Sequence, residues 1–209
     1  MTRCPPWDQD SSSSNLAALE AIVKRVYSSI QKSAARSLLT NHALGQWHYT
    51  IFCTLVPKDY YAGNFRQDDR SRPCLGQNVK VGNVLGEDYR RVVMAMRELQ
   101  ELARKRVANY ELKWPTMTKQ ERALELSLVM AWMIGSFIRI HPFINGNGRI
   151  SRLIWAWALL RLNVPVQCRV MPRPDPPYPN IMSACMHGDD SHLTLFILQH
   201  LGHYAPAIR

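Results

Sequence analysis

The sequence predicts an all-α domain, a helical bundle interrupted by one small β-hairpin. Two observations carry this. Apolar residues recur at helical spacing through most of the chain, as in Leu16, Leu19, Ile22, Val23 and Val26. Alternation of apolar and polar residues, the strand signature, occurs over Asn78-Val-Lys-Val-Gly-Asn-Val84, inside a stretch rich in Gly, Pro and Asp.

Taken in order, residues 1 to about 14, with Pro5-Pro6 and Ser11 to Ser14, form a flexible leader that ends in a helix N-cap. A single domain then fills 15–209. Its first helix covers Leu16 to Gln31, and a second covers about His42 to Leu55 and stops at Pro57. Helical period is lost between Asn64 and Gly86, where the hairpin falls. It resumes from Tyr89 to Val107 on Val92, Val93, Met96 and Leu99. Thr118 followed by Glu121 is a capping box, and the helix it opens, Lys119 to about Ile140, is apolar on most sides and so belongs at the centre. A further helix runs from Arg149 to Leu162, with Trp155 and Trp157 in or near the core. The stiff Pro-rich segment Arg173 to Pro179 leads to a last pair of helices.

The chain has 209 residues, long enough for a real core, with ordinary hydrophobic (46%) and charged (20%) content. No uninterrupted apolar run approaches a membrane span, and Met1-Thr-Arg-Cys-Pro-Pro-Trp7 has no signal-peptide core. Five scattered cysteines (Cys4, Cys53, Cys74, Cys168, Cys185) without paired spacing predict reduced thiols in a cytoplasmic compartment and no zinc site. The net charge, 26 − 16 = +10, points to an acidic partner: a nucleotide, a nucleic acid or an acidic protein. No nucleic-acid module is present. The densest cationic cluster, Arg104-Lys105-Arg106, is a solvated helix face.

Chemistry concentrates in His141-Pro-Phe-Ile-Asn-Gly-Asn-Gly-Arg149-Ile-Ser-Arg152. A bare Gly-Asn-Gly turn between helices is common, and a histidine at a helix boundary serves as a cap as readily as a base. The whole string is harder to dismiss. Glycines let the backbone approach an anion, so the amides of Gly146 to Gly148 can point at phosphate oxygens. The start of a helix at the same place adds unpaired amides and the positive end of the dipole. Arg149 and Arg152, three residues apart, share a helix face and can fork onto phosphate.

This string resembles the signature of the Fic-domain family, His-x-Phe-x-(Asp/Glu)-Gly-Asn-Gly-Arg-x-x-Arg, with Asn145 where the family has an acid. Trp47-His-Tyr-Thr-Ile-Phe52 and Ala62-Gly-Asn-Phe-Arg66 are similar to the family's entry segment. Tyr178 and Gly188-Asp189 match the spacing of its closing helices, so the likeness covers roughly 40 to 200. It implies a Fic-type helical bundle whose hairpin is the flap that holds a target peptide by strand addition. The implied reaction moves AMP from ATP to a Ser, Thr or Tyr hydroxyl of a protein. His141 would be the base, and Gly146, Asn147, Gly148, Arg149, Arg152 and Tyr178 would hold the nucleotide. Phe143 would be the aromatic anchor buried under them. At Asn145 the family acid binds Mg²⁺. An amide leaves three readings open: weakened Mg²⁺ use through its carbonyl oxygen, a shifted donor or reaction, or an inactive remnant. The alternatives to AMP transfer are a phosphotransferase, another nucleotide-derived transfer, or a nucleotide-binding module without turnover. No Glu of the chain fits the family's inhibitory Ser/Thr-x-x-x-Glu-Gly/Asn pattern, which assigns any such control to a separate antitoxin chain. The resemblance extends to toxins and to effectors delivered into a host cell.

Overall fold

The computed structural model describes residues 4–7, 13–34, 36–162, 164 and 176–202. Seven helices and a two-stranded hairpin are present among them: α1 (Ser13–Ser33), α2 (Asn41–Phe52), β1 (Lys80–Val81), β2 (Val84–Leu85), α3 (Tyr89–Lys113), α4 (Lys119–Ile140), α5 (Asn147–Arg161), α6 (Tyr178–Met186) and α7 (Ser191–Gly202). The strands pair antiparallel, Lys80 opposite Leu85 and Val81 opposite Val84.

Local signals set the helix starts. Thr40 caps α2 by accepting from the Ala43 amide, and Asp88 caps α3 by accepting from Arg90. The capping box of Thr118 and Glu121 forms with both bonds present. α3 runs six residues beyond the expected Val107 (113 − 107), because Tyr110 keeps the apolar phase and Pro115 only then intervenes. Tyr110 is buried and its hydroxyl donates to the Arg122 carbonyl at 3.2 Å. α5 starts two residues earlier than expected (149 − 147), which places Gly148 in its first turn.

α4 is the central element and packs against α3, α5, α6 and α7. Met130, Ile134 and Phe137 are almost fully buried on it, each contributing about 1.5–3 kcal/mol by leaving water. Among the described residues α4 is long and apolar enough to cross a membrane by length and composition alone, against the expectation that no run approaches a span. Here its apolar faces are those of a core helix. Trp155 and Trp157 are buried, as expected. Arg139 ties the end of α4 to the α6–α7 turn, donating to the Asp190 carboxylate at 2.6 Å and to the Cys185 carbonyl at 3.0 Å.

Two expectations fail at the front of the chain. Cys4 and Cys74 are joined by a disulfide with their Cα atoms 5.5 Å apart, so the cysteines are not all reduced; free thiols remain at Cys53 and Cys185 among the described residues. Their separation of 70 residues left no local pattern to detect. The segment Cys4–Trp7, expected as part of a flexible leader, is seated on the domain with Trp7 only 5% exposed. An aromatic nest of Phe52, Tyr61 and His48 receives the indole, which offsets the entropy of ordering the segment. Cys168 and most of the Pro-rich segment lie outside the described residues.

Candidate active site

The site is assembled where α4 ends and α5 begins. α4 stops because His141 turns left-handed, with φ 51° and ψ 60°, an uncommon conformation for a residue with a side chain. The surroundings hold it there. Arg66, fully buried, donates from Nε to the His141 carbonyl at 2.8 Å, and from its terminal nitrogens to Ile140, Glu87 and Gln77 carbonyls at 2.9 to 3.2 Å. The carbonyl end of α4 thus receives the cation its dipole favours. Burial pulls the Arg66 pKa down to about 10, against the Asp88 and Glu87 charges, so the group remains cationic at neutral pH. Gly86, at the base of the hairpin, lies against His141, and a Cβ there would stand 2.9 Å from that of His141. The hairpin can approach the histidine because residue 86 has no side chain.

The His141 ring points Nδ1 at the Ile138 carbonyl, 3.3 Å away. A carbonyl only accepts, so Nδ1 carries the proton and Nε2 presents a lone pair. Burial lowers the His141 pKa from 6.5 to about 4; the Ile138 bond opposes the shift and the Arg66 charge adds to it. At neutral pH the ring is an uncharged base, the protonation state that accepting a hydroxyl proton requires.

The loop that follows is pinned from beneath. Phe143 is fully buried, stacked on His48 at 3.8 Å between centroids and 9° between planes. His48 accepts at Nδ1 from the Gly63 amide at 2.9 Å, so its Nε2–H donates to the Asn145 carbonyl at 3.0 Å. Burial depresses its pKa to about 3 in spite of that second bond. Gly146 sits at φ 81° as the N-cap of α5, and a Cβ there would run into the Phe52 ring. Glycine is needed on both counts.

His141, Asn145, Gly146, Asn147, Gly148, Arg149, Arg152 and Tyr178 all line one open cavity of about 490 Å³, walled opposite by Val81 and Gly82 of the hairpin. That volume suits a nucleotide-sized ligand. The amides of Asn147 and Gly148 open the first turn of α5, where no intrahelical acceptor exists. Arg152 is buried along α5, and Arg149 lies over the Phe52 ring, its guanidinium carbon 5.6 Å from the centroid. Tyr178, buried against Phe196, enters the wall from the start of α6.

Phe143 is outside the cavity wall and holds the loop from beneath without reaching a ligand, as the anchor role implies. Three assignments change. The Asn147 side chain is no phosphate donor: its Oδ1 accepts from the Phe143 amide at 3.0 Å and its Nδ2 donates to the Phe143 carbonyl at 2.9 Å. The Gly146 amide donates to Asn145 Oδ1 at 2.6 Å, which takes it out of the set of amides expected to meet phosphate. Asn145 does not fit a cation. Its oxygen accepts that N–H, its Nδ2 donates to the Trp7 carbonyl at 2.7 Å, and no group of three His, Cys, Asp or Glu stands ready for a metal among the described residues.

Sequence reasoning missed His48 and Trp7. His48 lies within the stretch Trp47–Phe52 and Trp7 in a segment without periodicity; neither spacing points at a residue 97 or 138 positions away.

The Fic/DOC family model matches residues 38–159. A Fido domain-containing protein of Dictyostelium discoideum is 34% identical over 74 residues, which are 34% of this chain and 52% of that relative; the chain therefore spans about half its length. The fold is similar to that of the BepC protein of Bartonella tribocorum, a VirB-translocated effector crystallised with AMPPNP: TM-score 0.60, 14% identity, 88% of this chain and 84% of that one. It is also similar to a Fic domain-containing signaling protein of Bacteroides thetaiotaomicron, with TM-score 0.59, 20% identity and coverage of 95% and 70%.

Proposed function

The chain belongs to the Fic/DOC family, whose members generally transfer nucleoside monophosphates to proteins, and from that premise we propose that it moves AMP from ATP onto a Ser, Thr or Tyr hydroxyl of a target protein. One observation carries the reading: an uncharged His141 faces, across a single cavity, the first-turn amides of α5 with Arg149 and Arg152. A fold neighbour with AMPPNP bound supports ATP as the nucleotide.

In this mechanism the target hydroxyl oxygen attacks the α-phosphorus while His141 Nε2 takes its proton. The bond from the α-phosphorus to its bridging oxygen breaks, and pyrophosphate leaves with the electron pair. Charge growing on the departing group falls to the arginines and amides, where electrostatic stabilisation contributes most. Mg²⁺, when it accompanies the triphosphate, supplies charge neutralisation that Asn145 does not anchor. The hairpin at the cavity mouth offers the target peptide a strand edge.

Incubation with α- and γ-labelled ATP and a cell extract tests this. Protein labelled from the α position alone supports AMP transfer. Label from the γ position alone means phosphotransfer, the second reading, favoured by the missing acid at residue 145. No label, with ATP bound, means a module without turnover. A toxin or effector role, with a separate antitoxin chain, is part of the same proposal and is tested apart from the labelling, by toxicity on expression.

A further inference from the structure

The residue that departs from the family motif carries an inference that rests on the nucleotide-binding reading of the same cavity. The Asn145 amide stands between a donor and an acceptor. The Gly146 N–H donates to Oδ1 at 2.6 Å, and Nδ2 donates to the Trp7 carbonyl at 2.7 Å. Turning the amide over would set N–H against N–H and oxygen against oxygen, so hydrogen bonding fixes one orientation. A carboxylate could serve only one of these partners. Its other oxygen would face the Trp7 carbonyl oxygen, a repulsive contact that an amide removes.

The Trp7 end is held by ring packing, while its indole N–H is buried without a hydrogen-bond partner among the described residues. Its indole is 5% exposed and stands edge-on to Phe52 at 5.2 Å and to His48 at 5.8 Å. Tyr61 donates its hydroxyl to the Pro5 carbonyl at 3.4 Å, and Cys4 is bonded to Cys74. The segment Cys4–Trp7 is therefore tethered covalently at one end and by its ring at the other, with its last carbonyl aimed at the loop. From the opposite side, His48 holds the Asn145 main-chain carbonyl.

We infer that Asn145 is a positioning residue, not a cation ligand: it clasps the phosphate-binding loop to the segment Cys4–Trp7 and so sets where the amides of Asn147 and Gly148 lie. The amide at this position and the seated segment are then two halves of one device.

The test is a double-mutant cycle on the full chain, with Asn145→Asp, Trp7→Ala and the pair. ATP affinity is measured by calorimetry across a Mg²⁺ series. Asn145→Asp is expected to weaken ATP binding by about tenfold at every Mg²⁺ concentration, with the Mg²⁺ midpoint unmoved, because one hydrogen bond is lost and a buried acceptor is left facing an oxygen. Trp7→Ala is expected to do the same, and the pair to be no worse than either alone. A lower Mg²⁺ midpoint in Asn145→Asp, or losses that multiply in the pair, overturns the clasp. If Trp7→Ala does not fold, Cys74→Ser, which releases the covalent end, takes its place in the cycle. Urea unfolding without nucleotide gives an independent reading of the same non-additivity. Should the wild-type chain bind no ATP, the functional reading fails while the urea cycle still decides the clasp.

Discussion

Arg66 and His141 form the joint on which the site turns: the Arg66 guanidinium donates to the His141 carbonyl at 2.8 Å, and its own amide donates to the Pro142 carbonyl at 2.7 Å. One buried side chain thereby caps the central helix, fixes the left-handed turn of the base and anchors the hairpin stem through Glu87 and Gln77. Its neighbours there are carbonyls, not a paired carboxylate, so removing it strands several buried acceptors together.

Arg66→Ala is accordingly expected to cost about 3–5 kcal/mol of unfolding free energy, the range for breaking a buried charged network. Arg66→Lys keeps the charge but cannot fork to four carbonyls, and should recover less than half of the loss. Urea denaturation of the three proteins decides it. A cost under about 1 kcal/mol for the alanine variant, within the range of an ordinary surface change, would show that the carbonyls find other donors.

His141→Ala is expected to lower the rate of transfer by about 10²–10⁴-fold with little change in melting temperature, because only the proton acceptor is lost. With the imidazole held at about 4, kcat/KM should stay level from neutral pH downward and fall only as pH approaches that value, provided the protein is still folded. An acid limb centred near 6.5 would place the titrating histidine elsewhere or show it to be exposed to water.

The same burial makes stability pH-dependent. His48 and His141 have folded-state pKa values of about 3 and about 4, both below the unfolded value near 6.5. Between those limits the unfolded chain binds more protons than the folded one, so stability is full above pH 6.5 and declines as pH falls through the window. Each histidine contributes a slope of up to about 1.4 kcal/mol per pH unit. Unfolding measured at pH 7, 6 and 5 should show this slope, and His48→Gln, which keeps a donor for the Asn145 carbonyl, should reduce it by about half. An unchanged slope in that variant means His48 is not protonated on unfolding.

Periodicity and capping made the helices legible, since Thr118 with Glu121 and the apolar stripe of Lys119–Ile140 are local facts of the chain. The ring of residues around the cavity was legible for a different reason: His141 to Arg152 is one contiguous string, and a turn between two helices must bring its members together. What stayed hidden was pairing at long range. The Cys4–Cys74 disulfide, the His48 stack under Phe143 and the Trp7 carbonyl on Asn145 each join residues with no spacing rule between them. The role of Asn147 is not legible in the sequence because a loop asparagine can serve an anion or its own backbone, and only the fold shows both amide groups turned on Phe143. Asn145 reads from the sequence as a weakened metal ligand because it stands where the family has an acid, and its partner, the Trp7 carbonyl, lies in a segment without periodicity.

The two arginines share a helix face and a cavity but not an environment, and this separates what their removal does. Arg152 is 5% exposed, its stem packed along α5 among core residues, whereas Arg149 is only partly covered and rests over the Phe52 ring. Arg149→Ala is expected to weaken ATP binding by about ten- to hundredfold, the worth of one or two charge-assisted bonds, while shifting stability by less than about 1 kcal/mol. Arg152→Ala should weaken ATP binding comparably and also cost about 2–4 kcal/mol of stability, since it removes buried packing along with charge. Arg152→Lys keeps the stem and the charge, so it should restore most of the stability and little of the affinity, because an ammonium cannot make the forked contact. Calorimetric affinity and urea unfolding on the same preparations resolve the two effects. If Arg152→Lys recovers affinity together with stability, the forked contact is not what holds the triphosphate, and Arg152 acts at the site only through the position of α5.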